Sequence, residues 1–210
     1  MEIKAISEET ISKNSEYWDG RAAGYSDVNK WELAGESRPL WKAVLNAGPL
    51  SESIEFMCEN AESLSFPDDS FDIVISRNLT WNLPHPDIAY SEWCRVLNPG
   101  GMLINFDANW YRYLFDDERR AAYEADRERS ESLGLDDQNV GDNFDMMEEI
   151  ARNMPLSRIE RPDWDTELLS GLGMNVSADK DIWNEVWTEQ EKVNFASTPL
   201  FMITAVKPES

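Results

Sequence analysis

A strand–helix–strand pattern in the middle of the chain constrains the fold more than any other feature. Phe71–Ser76 and Met102–Phe106 are short apolar runs bounded by turn residues, which is typical of strands covered on both faces. Between them, Asp87–Leu97 has helical character, with Pro86 suited to the first turn and Asn98–Gly101 suited to the end. Two strands joined by such a helix form a parallel pair with a right-handed crossover. The sequence therefore predicts an α/β fold.

The rest of the chain continues this alternation. Apolar residues at helical spacing, with capping residues at the ends, predict several helices. The predicted helices lie within 7–24, 31–47, 116–134, 143–154 and 164–171, and the further strands are Ile54–Cys58, Met174–Ala178 and Leu200–Val206. The pattern indicates one domain with a mostly parallel sheet and flanking helices.

The charge of the chain limits its partners. The 210 residues include 19 basic and 41 acidic side chains, a net charge of -22, which repels phosphate backbones and anionic lipid. The N-terminus has no basic region followed by an apolar run, and no apolar run approaches the roughly 20 residues that span a bilayer. We therefore expect a cytoplasmic protein that binds neither nucleic acid nor membrane.

Cys58 and Cys94 match no metal-binding spacing, so no metal site is predicted and both are expected to be buried thiols.

Polar clusters follow the predicted strands at their carboxyl ends, where open α/β sheets bind ligands. These clusters are Glu59–Glu62, Arg77–Asn78 and Asp107–Trp110. Strand ends also meet solvent, so each residue is either a ligand contact or a solvated side chain. Trp81 and Trp110 follow strand ends and are candidates for lining a pocket, although most tryptophans lie in a core.

His85 is the lone histidine and a candidate general base, because imidazole titrates near neutral pH. It lies between two prolines, and the sequence pairs no Ser or Cys nucleophile with it. The alternative is a solvated loop histidine. No catalytic residue is assigned from the sequence.

Taken together, "CENAESLSFPDDSFDIVISRN" and "EWCRVLNPGGMLINFD" resemble the second half of the Rossmann-like domain of class I S-adenosylmethionine-dependent methyltransferases, above all the small-molecule branch labelled type 11. "YWDGRAAGYSD" resembles the cap helix of these enzymes, and "RPDWDTELLSGLGM" resembles their helix before the penultimate strand. The resemblance implies a Rossmann-like, mostly parallel sheet with an antiparallel C-terminal strand. It divides the single domain into cap helices (1–48), a core (53–113), a helical insert or lid (114–162) and a C-terminal helix with strands (163–210).

The resemblance also implies a cofactor, S-adenosylmethionine, and a small-molecule methyl acceptor. It places Asn60 and Ala61 beside the adenine ring and Arg77–Asn78 at the methionine moiety. The residues assigned to the cofactor are Arg21, Tyr25, Asn60, Ala61, Arg77 and Asn78, and those assigned to the acceptor are Trp81, Asp107, Asn109 and Trp110.

One part of the family pattern is missing from this sequence. The family has a Gly-x-Gly turn after its first strand, because glycine lets backbone approach the cofactor. Here "WKAVLNAGPL" runs directly into "SESIEFMCENAE", and the Gly171–Gly173 segment has a different context. By the family layout the first two strand–helix units are missing. This predicts exposed strand edges and a homodimer, and it leaves a catalytically inactive binding or regulatory protein as the alternative function.

Overall fold

Four strands form one sheet in the computed structural model, which describes residues 5–20, 39–41, 57–135 and 144–209. The strands are β1 (Phe71–Arg77), β2 (Leu97–Asp107), β3 (Asn175–Asp179) and β4 (Phe201–Val206), in the spatial order β1-β2-β4-β3. β1 runs parallel to β2, and β4 runs antiparallel to both of its neighbours. Three strands therefore point in one direction, and the predicted α/β sheet with an antiparallel C-terminal strand is confirmed.

Helices flank this sheet. They are α1 (8–20), α2 (Pro86–Val96), α3 (Asp117–Ser132), α4 (Phe144–Ala151), α5 (Asp163–Gly171), α6 (Trp183–Val186) and α7 (Glu189–Asn194), with short 3-10 turns at Thr80–Asn82, Arg112–Leu114 and Pro155–Arg158. Of the helix predicted at 31–47, residues 39–41 are described and are helical. The predicted strand Ile54–Cys58 lies mostly outside the described residues. No described helix is long and apolar enough to cross a bilayer.

The helix ends follow local signals in the sequence. Pro86 is the first residue of α2, where its missing N–H costs nothing. The Asp116 side chain caps α3 by accepting a hydrogen bond from the backbone N–H of Arg119 at 3.0 Å. Beyond the end of α3, Gly134 has a φ of 64°, the left-handed conformation that glycine adopts without strain.

β2 begins earlier than the sequence predicted. Leu97 lies opposite Phe71 while Met102 lies opposite Ile73, so the residues between Leu97 and Met102 loop out of the ladder. Gly101 makes this possible, because a Cβ there would lie 2.8 Å from the backbone oxygen of Asn98. The turn residues 98–101 therefore form an irregularity near the start of a longer strand.

Apolar side chains cover the two faces of the sheet unequally. One face packs against α2 and α5, through residues that include Leu103, Tyr90, Trp93, Leu169 and Ile203. The other face packs around Phe106 against α6, Phe195 and Trp41. On this second face, Ile73 and Ile75 of β1 are 54% and 51% exposed. The prediction that β1 is covered on both faces is therefore wrong, because the described residues that cover this face pack against β2 and β4.

The two cysteines differ in exposure. Cys94 on α2 is buried as predicted, but Cys58 is exposed, so the prediction of two buried thiols is wrong for Cys58. Cys58 lies in an irregular segment before β1. Burial raises the pKa of the Cys94 thiol to about 11.

We expect one thiol of the native protein to react with Ellman's reagent at pH 8. Only about one in a thousand thiols with a pKa near 11 is a thiolate at that pH, so Cys94 reacts only after unfolding in guanidinium chloride. The Cys58→Ser variant is the control, and its native form should be unreactive. Rapid reaction of two native thiols would contradict the burial of Cys94.

Candidate functional site

The carboxylate of Asp107 is fully buried at the carboxyl end of β2. Its Oδ1 accepts hydrogen bonds from the backbone N–H of Ala108 and from Nε1 of Trp110, both at 2.9 Å. Its Oδ2 accepts hydrogen bonds from the backbone N–H of Trp81 at 3.0 Å and from the Thr80 hydroxyl. Hydrogen bonds to a charged acceptor are strong, so Asp107 holds the segments that carry the two tryptophans in one arrangement.

Arg161 supplies the positive charge beside this carboxylate. Its Nη1 donates to Oδ2 of Asp107 at 2.6 Å, and its Nη2 donates to the Thr80 hydroxyl at 2.8 Å. Its Nε and Nη2 donate to the Asp165 carboxylate at 2.9 and 2.7 Å. Burial lowers the pKa of the guanidinium, but the charges of Asp165 and Asp107 raise it, and its pKa lies well above the ordinary value. The ion group ties α5 to the end of β2.

Tyr90 on α2 and Asn105 on β2 complete a buried polar network. The Tyr90 hydroxyl donates to Oδ1 of Asp165 at 2.7 Å, and Nδ2 of Asn105 donates to the Tyr90 hydroxyl at 2.8 Å. Burial, and then the charge of Asp165, raises the pKa of Tyr90 well above its ordinary value, so the hydroxyl remains a donor at neutral pH. We call this set the Arg161 network; its members are Thr80, Tyr90, Asn105, Asp107, Arg161 and Asp165.

Aromatic side chains pack around Trp81, beside the Arg161 network. The ring centroid of Trp81 lies 6.3 Å from that of Trp18 on α1 and 5.0 Å from that of Tyr111. Met147 and Ile150 of α4 belong to the same buried cluster. Four separate segments therefore meet at the carboxyl end of β1 and β2, where this class of sheet binds ligands.

Four buried carboxamide oxygens in the described part of the chain lack hydrogen-bond partners, those of Asn14, Asn78, Asn82 and Asn105. Asn78 follows β1 with a φ of 53°, and its buried Oδ1 has no donor. Asn14 on α1 donates from Nδ2 to the backbone oxygen of Asn82 at 3.2 Å, which fixes the orientation of its amide, and its buried Oδ1 has no donor either. A buried acceptor without a donor costs about 1–3 kcal/mol. Such oxygens are suited to receive a hydrogen-bond donor from a ligand.

Residues 13–105 match the family model described as a methyltransferase domain. The ubiquinone/menaquinone biosynthesis C-methyltransferase UbiE of Chromobacterium violaceum is 31% identical over 103 residues, and the alignment covers 42% of this chain and 42% of that protein. UbiE of Brucella canis is 46% identical over 79 residues, which cover 37% of this chain and 27% of that protein. The first half of the chain is therefore similar to a methyltransferase domain.

The chain spans less than half the length of the curated relatives it matches, 42% and 27% for the two described above. Among solved structures, the crystal structure of the [4+2]-cyclase SpnF aligns with a TM-score of 0.46 and 18% sequence identity. That alignment covers 82% of this chain and 62% of SpnF.

S-adenosylmethionine is the cofactor that similarity to these methyltransferases implies. Asn60, assigned to the adenine side, forms a tight turn in which its Oδ1 accepts the backbone N–H of Glu62 at 3.0 Å. The neighbouring Ala61 packs against the core, and its backbone oxygen accepts a hydrogen bond from Nε1 of Trp93 at 3.1 Å. On the methionine side, Asn78 offers its unpartnered oxygen. The contact of Asn60, Ala61 and Asn78 with the cofactor stays a prediction.

The Gly-x-Gly turn with which the family approaches its cofactor is missing before β1. No Gly-x-Gly precedes residue 171 in the sequence. Gly171 ends α5, and Gly173, with a φ of 86°, turns the chain into β3. These two glycines end a helix and do not form a cofactor-binding loop after a strand.

The other assigned residues have varied environments. The guanidinium of Arg77 lies 4.5 Å from the centroid of the Trp41 ring. Asn109 makes two hydrogen bonds with the backbone of Arg161, at 2.8 and 3.1 Å. Arg21 and Tyr25 lie outside the described residues. The structure thus brings Trp81, Asp107, Asn109 and Trp110 together around Arg161, and their contact with an acceptor stays a prediction.

His85 precedes α2 and pairs with Glu62. Its Nδ1 lies 2.9 Å from Oε2 of Glu62, and its backbone N–H donates to Oε1 at 2.7 Å. The ring is about half exposed. This environment favours the solvated loop histidine over the general base.

Sequence reasoning missed Arg161, Asp165, Tyr90 and Thr80. Arg161 and Asp165 are four residues apart, the spacing of an ion pair on a helix, and this signal was available in the sequence. Nothing local indicated that the pair is buried, because burial arises only when α5 packs on the end of β2. Tyr90 and Thr80 carry no local signal of their own.

Proposed function

We propose that this protein is an S-adenosylmethionine-dependent methyltransferase that acts on a small-molecule acceptor bound beyond the carboxyl ends of β1 and β2. The observation that carries the proposal is the buried, unpartnered oxygen of Asn78 at the strand end assigned to the methionine moiety. The net charge of -22 favours a neutral or cationic acceptor over a nucleic acid.

In this proposal the chain positions its ligands and excludes water. S-adenosylmethionine supplies an activated methyl group on a sulfonium sulfur. Trp81 and Trp110, held by the Asp107 carboxylate, line the acceptor side as rigid apolar walls, and Asn78 accepts a hydrogen bond from a donor on the ligand. Holding two reactants in line lowers the entropic part of the barrier. The mechanism assigns no residue as a general base.

The insert at 114–162 shapes the acceptor pocket in this proposal. Its helix α4 contributes Met147 and Ile150 to the aromatic cluster around Trp81. Tyr113, the last residue before the insert, donates from its hydroxyl to Glu148 at 3.0 Å, which links the end of the core to α4. Methionine adapts its shape readily, which suits a lid over a small apolar ligand.

The second candidate function is a methyltransferase-like protein that binds a partner without catalysis. Two observations favour it. The sequence has no Gly-x-Gly turn before residue 171, and the carboxylate of Asp107 is enclosed by protein donors, including Arg161 at 2.6 Å. Such a protein would keep the fold of the strand ends while losing the tight contact between backbone and cofactor.

Calorimetric titration with S-adenosylhomocysteine separates the two functions. We expect stoichiometric binding to the native protein and a threefold to tenfold weaker affinity for Asn78→Gly, since one hydrogen bond contributes about 0.5–1.5 kcal/mol. Glycine keeps the left-handed φ of 53°, so the substitution removes the carboxamide without straining the backbone.

Asn98→Gly is the matched control, because Asn98 lies at the opposite end of β2, where its amide donates to Asp72 at 2.9 Å. Its affinity for S-adenosylhomocysteine should equal that of the native protein. Absence of detectable heat up to millimolar ligand would reject the methyltransferase proposal and favour the binding protein. Equal affinities of the Asn78 variant and the native protein would remove Asn78 from the site.

A further inference from the structure

The hydroxyl of Thr80 joins the turn after β1 to the Arg161 network. Thr80 begins the short 3-10 turn Thr80–Asn82 and has no exposed surface. Its hydroxyl donates a hydrogen bond to Oδ2 of Asp107. It accepts hydrogen bonds from Nη2 of Arg161 at 2.8 Å and from Nδ2 of Asn105 at 3.2 Å. A hydroxyl has one donor and two acceptor lone pairs, so every hydrogen-bonding position of Thr80 is filled and its orientation is fixed.

The residue after Thr80 is held by the same carboxylate. The backbone N–H of Trp81 donates to Oδ2 of Asp107 at 3.0 Å, and this is the oxygen that the Thr80 hydroxyl also contacts. The indole Nε1 of Trp81 donates in turn to the backbone oxygen of Asn78 at 3.1 Å. One oxygen of Asp107 therefore fixes the turn, and the turn holds the indole against the residue that follows β1.

The other oxygen of Asp107 holds the segment that follows β2. Oδ1 accepts hydrogen bonds from the backbone N–H of Ala108 and from Nε1 of Trp110, both at 2.9 Å. Both oxygens belong to one planar carboxylate, so a rotation that follows a change at Oδ2 also moves Oδ1. The Asp107 carboxylate thus couples the segments after β1 and β2, and with them the two tryptophans.

The donors that contact the Thr80 hydroxyl also have other partners. Nη2 of Arg161 donates to Oδ1 of Asp165 at 2.7 Å, and Nδ2 of Asn105 donates to the Tyr90 hydroxyl at 2.8 Å. Valine has nearly the shape of threonine, so Thr80→Val removes the hydroxyl and leaves each of these nitrogens with a partner. The substitution therefore changes how the turn is held while most of the network stays in place.

We propose that Thr80 is a positioning residue of the ligand site, whose hydroxyl sets the positions of Trp81 and Asn78 through the Asp107 carboxylate. This role rests on the proposed function, in which Asn78 accepts a hydrogen bond from the cofactor and Trp81 lines the acceptor side. Thr80 acts through these residues, because the bonds of its hydroxyl are all made within the protein. Binding groups need such supporting bonds, since a displacement of about 1 Å is enough to weaken their contacts with a ligand.

Calorimetric titration of the full chain with S-adenosylhomocysteine tests this role with two variants of Thr80. We expect Thr80→Val to bind about threefold to tenfold more weakly than the native chain, a loss no larger than that of Asn78→Gly, because Thr80 acts through Asn78. Thr80→Ser keeps the hydroxyl and should bind within about twofold of the native chain. It also loses a buried methyl group, so its midpoint of urea denaturation should fall. Native-like affinity in a destabilised variant separates positioning from stability.

Ser130→Ala is the matched control for the loss of a buried hydroxyl. Ser130 lies on α3 with no exposed surface, and its hydroxyl donates to Oδ1 of Asn194 on α7 at 2.8 Å, outside the Arg161 network. This variant should be less stable than the native chain and should bind S-adenosylhomocysteine with the native affinity.

Fluorine NMR of the chain labelled with fluorotryptophan reports the positions of the indoles without a ligand. The signals of Trp81 and Trp110 are assigned by replacing each tryptophan in turn with phenylalanine. We expect Thr80→Val to shift both signals, because both indoles depend on the Asp107 carboxylate. Thr80→Ser and Ser130→Ala should leave both signals at their native positions.

The outcomes distinguish this role from the proposed function. Absence of binding to the native chain would reject the proposed function, and the role of Thr80 with it. Binding by the native chain that Thr80→Val leaves unchanged would overturn the role of Thr80 alone. So would a Thr80→Ser variant that binds as weakly as Thr80→Val, or a Trp81 signal that Thr80→Val does not shift.

Discussion

Replacing Arg161 with methionine is expected to lower the free energy of unfolding by about 3–5 kcal/mol, because it leaves buried carboxylates without their cation. Arg161 is 3% exposed and donates to both Asp107 and Asp165. Asp107 keeps backbone and indole donors after the substitution, and Asp165 keeps the Tyr90 hydroxyl. Their negative charges then lie in the protein interior with no positive partner. The measurement is denaturation in urea, followed by circular dichroism.

The matched control is Arg119→Met. Arg119 donates to Glu160 at 2.9 Å, but its side chain is partly exposed, and pairs of this kind contribute about 0–1 kcal/mol. The double variant Arg161→Met with Asp165→Asn should recover more than about 1 kcal/mol, because it removes one of the unpaired charges. A loss below about 1 kcal/mol for Arg161→Met would contradict the buried network.

Replacing Leu103 with alanine is expected to lower the free energy of unfolding by about 2–5 kcal/mol. Leu103 lies on β2, has no exposed surface, and belongs to the core that joins the sheet to α2 and α5. The substitution removes apolar contacts and leaves a cavity, since packed strands and helices relax only in part. Urea denaturation at neutral pH measures the loss.

Ile88→Ala is the control for this substitution. Ile88 lies on α2 with 46% of its surface exposed, and alanine favours the helix, so the change in stability should stay within about 0.5 kcal/mol. If Leu103→Ala and Ile88→Ala had equal effects, the core between β2 and the two helices would not be packed as described.

The sequence predicted the positions of the helices and strands better than the burial of their side chains. The pattern of apolar runs and turn residues located β1, α2 and β4 within a residue or two, because period and capping are local properties. It placed the start of β2 five residues too late, since a glycine-rich turn that loops out of a ladder looks the same as one that ends a helix. Its prediction that both faces of β1 are covered failed, because burial depends on which elements pack together.

For the candidate site, the sequence located the strand ends and the tertiary structure decided what their side chains do. Asp107 follows an apolar strand, and position alone gave either a ligand contact or a solvated carboxylate. The structure encloses it with Arg161, which is 54 residues away in sequence. No local pattern carries such a pairing, because it depends on α5 reaching the end of β2.

By itself, the sequence determined the order of strands and helices, the resemblance to a methyltransferase domain and the strongly acidic charge, since these depend on residue type and near-neighbour spacing. The tertiary structure decided the buried ion group, the unpartnered Asn78 oxygen and the exposure of Ile73 and Ile75 on β1. Each of these arises from contacts between residues distant in the chain, whose free energy is realised only when the sheet and its helices have assembled.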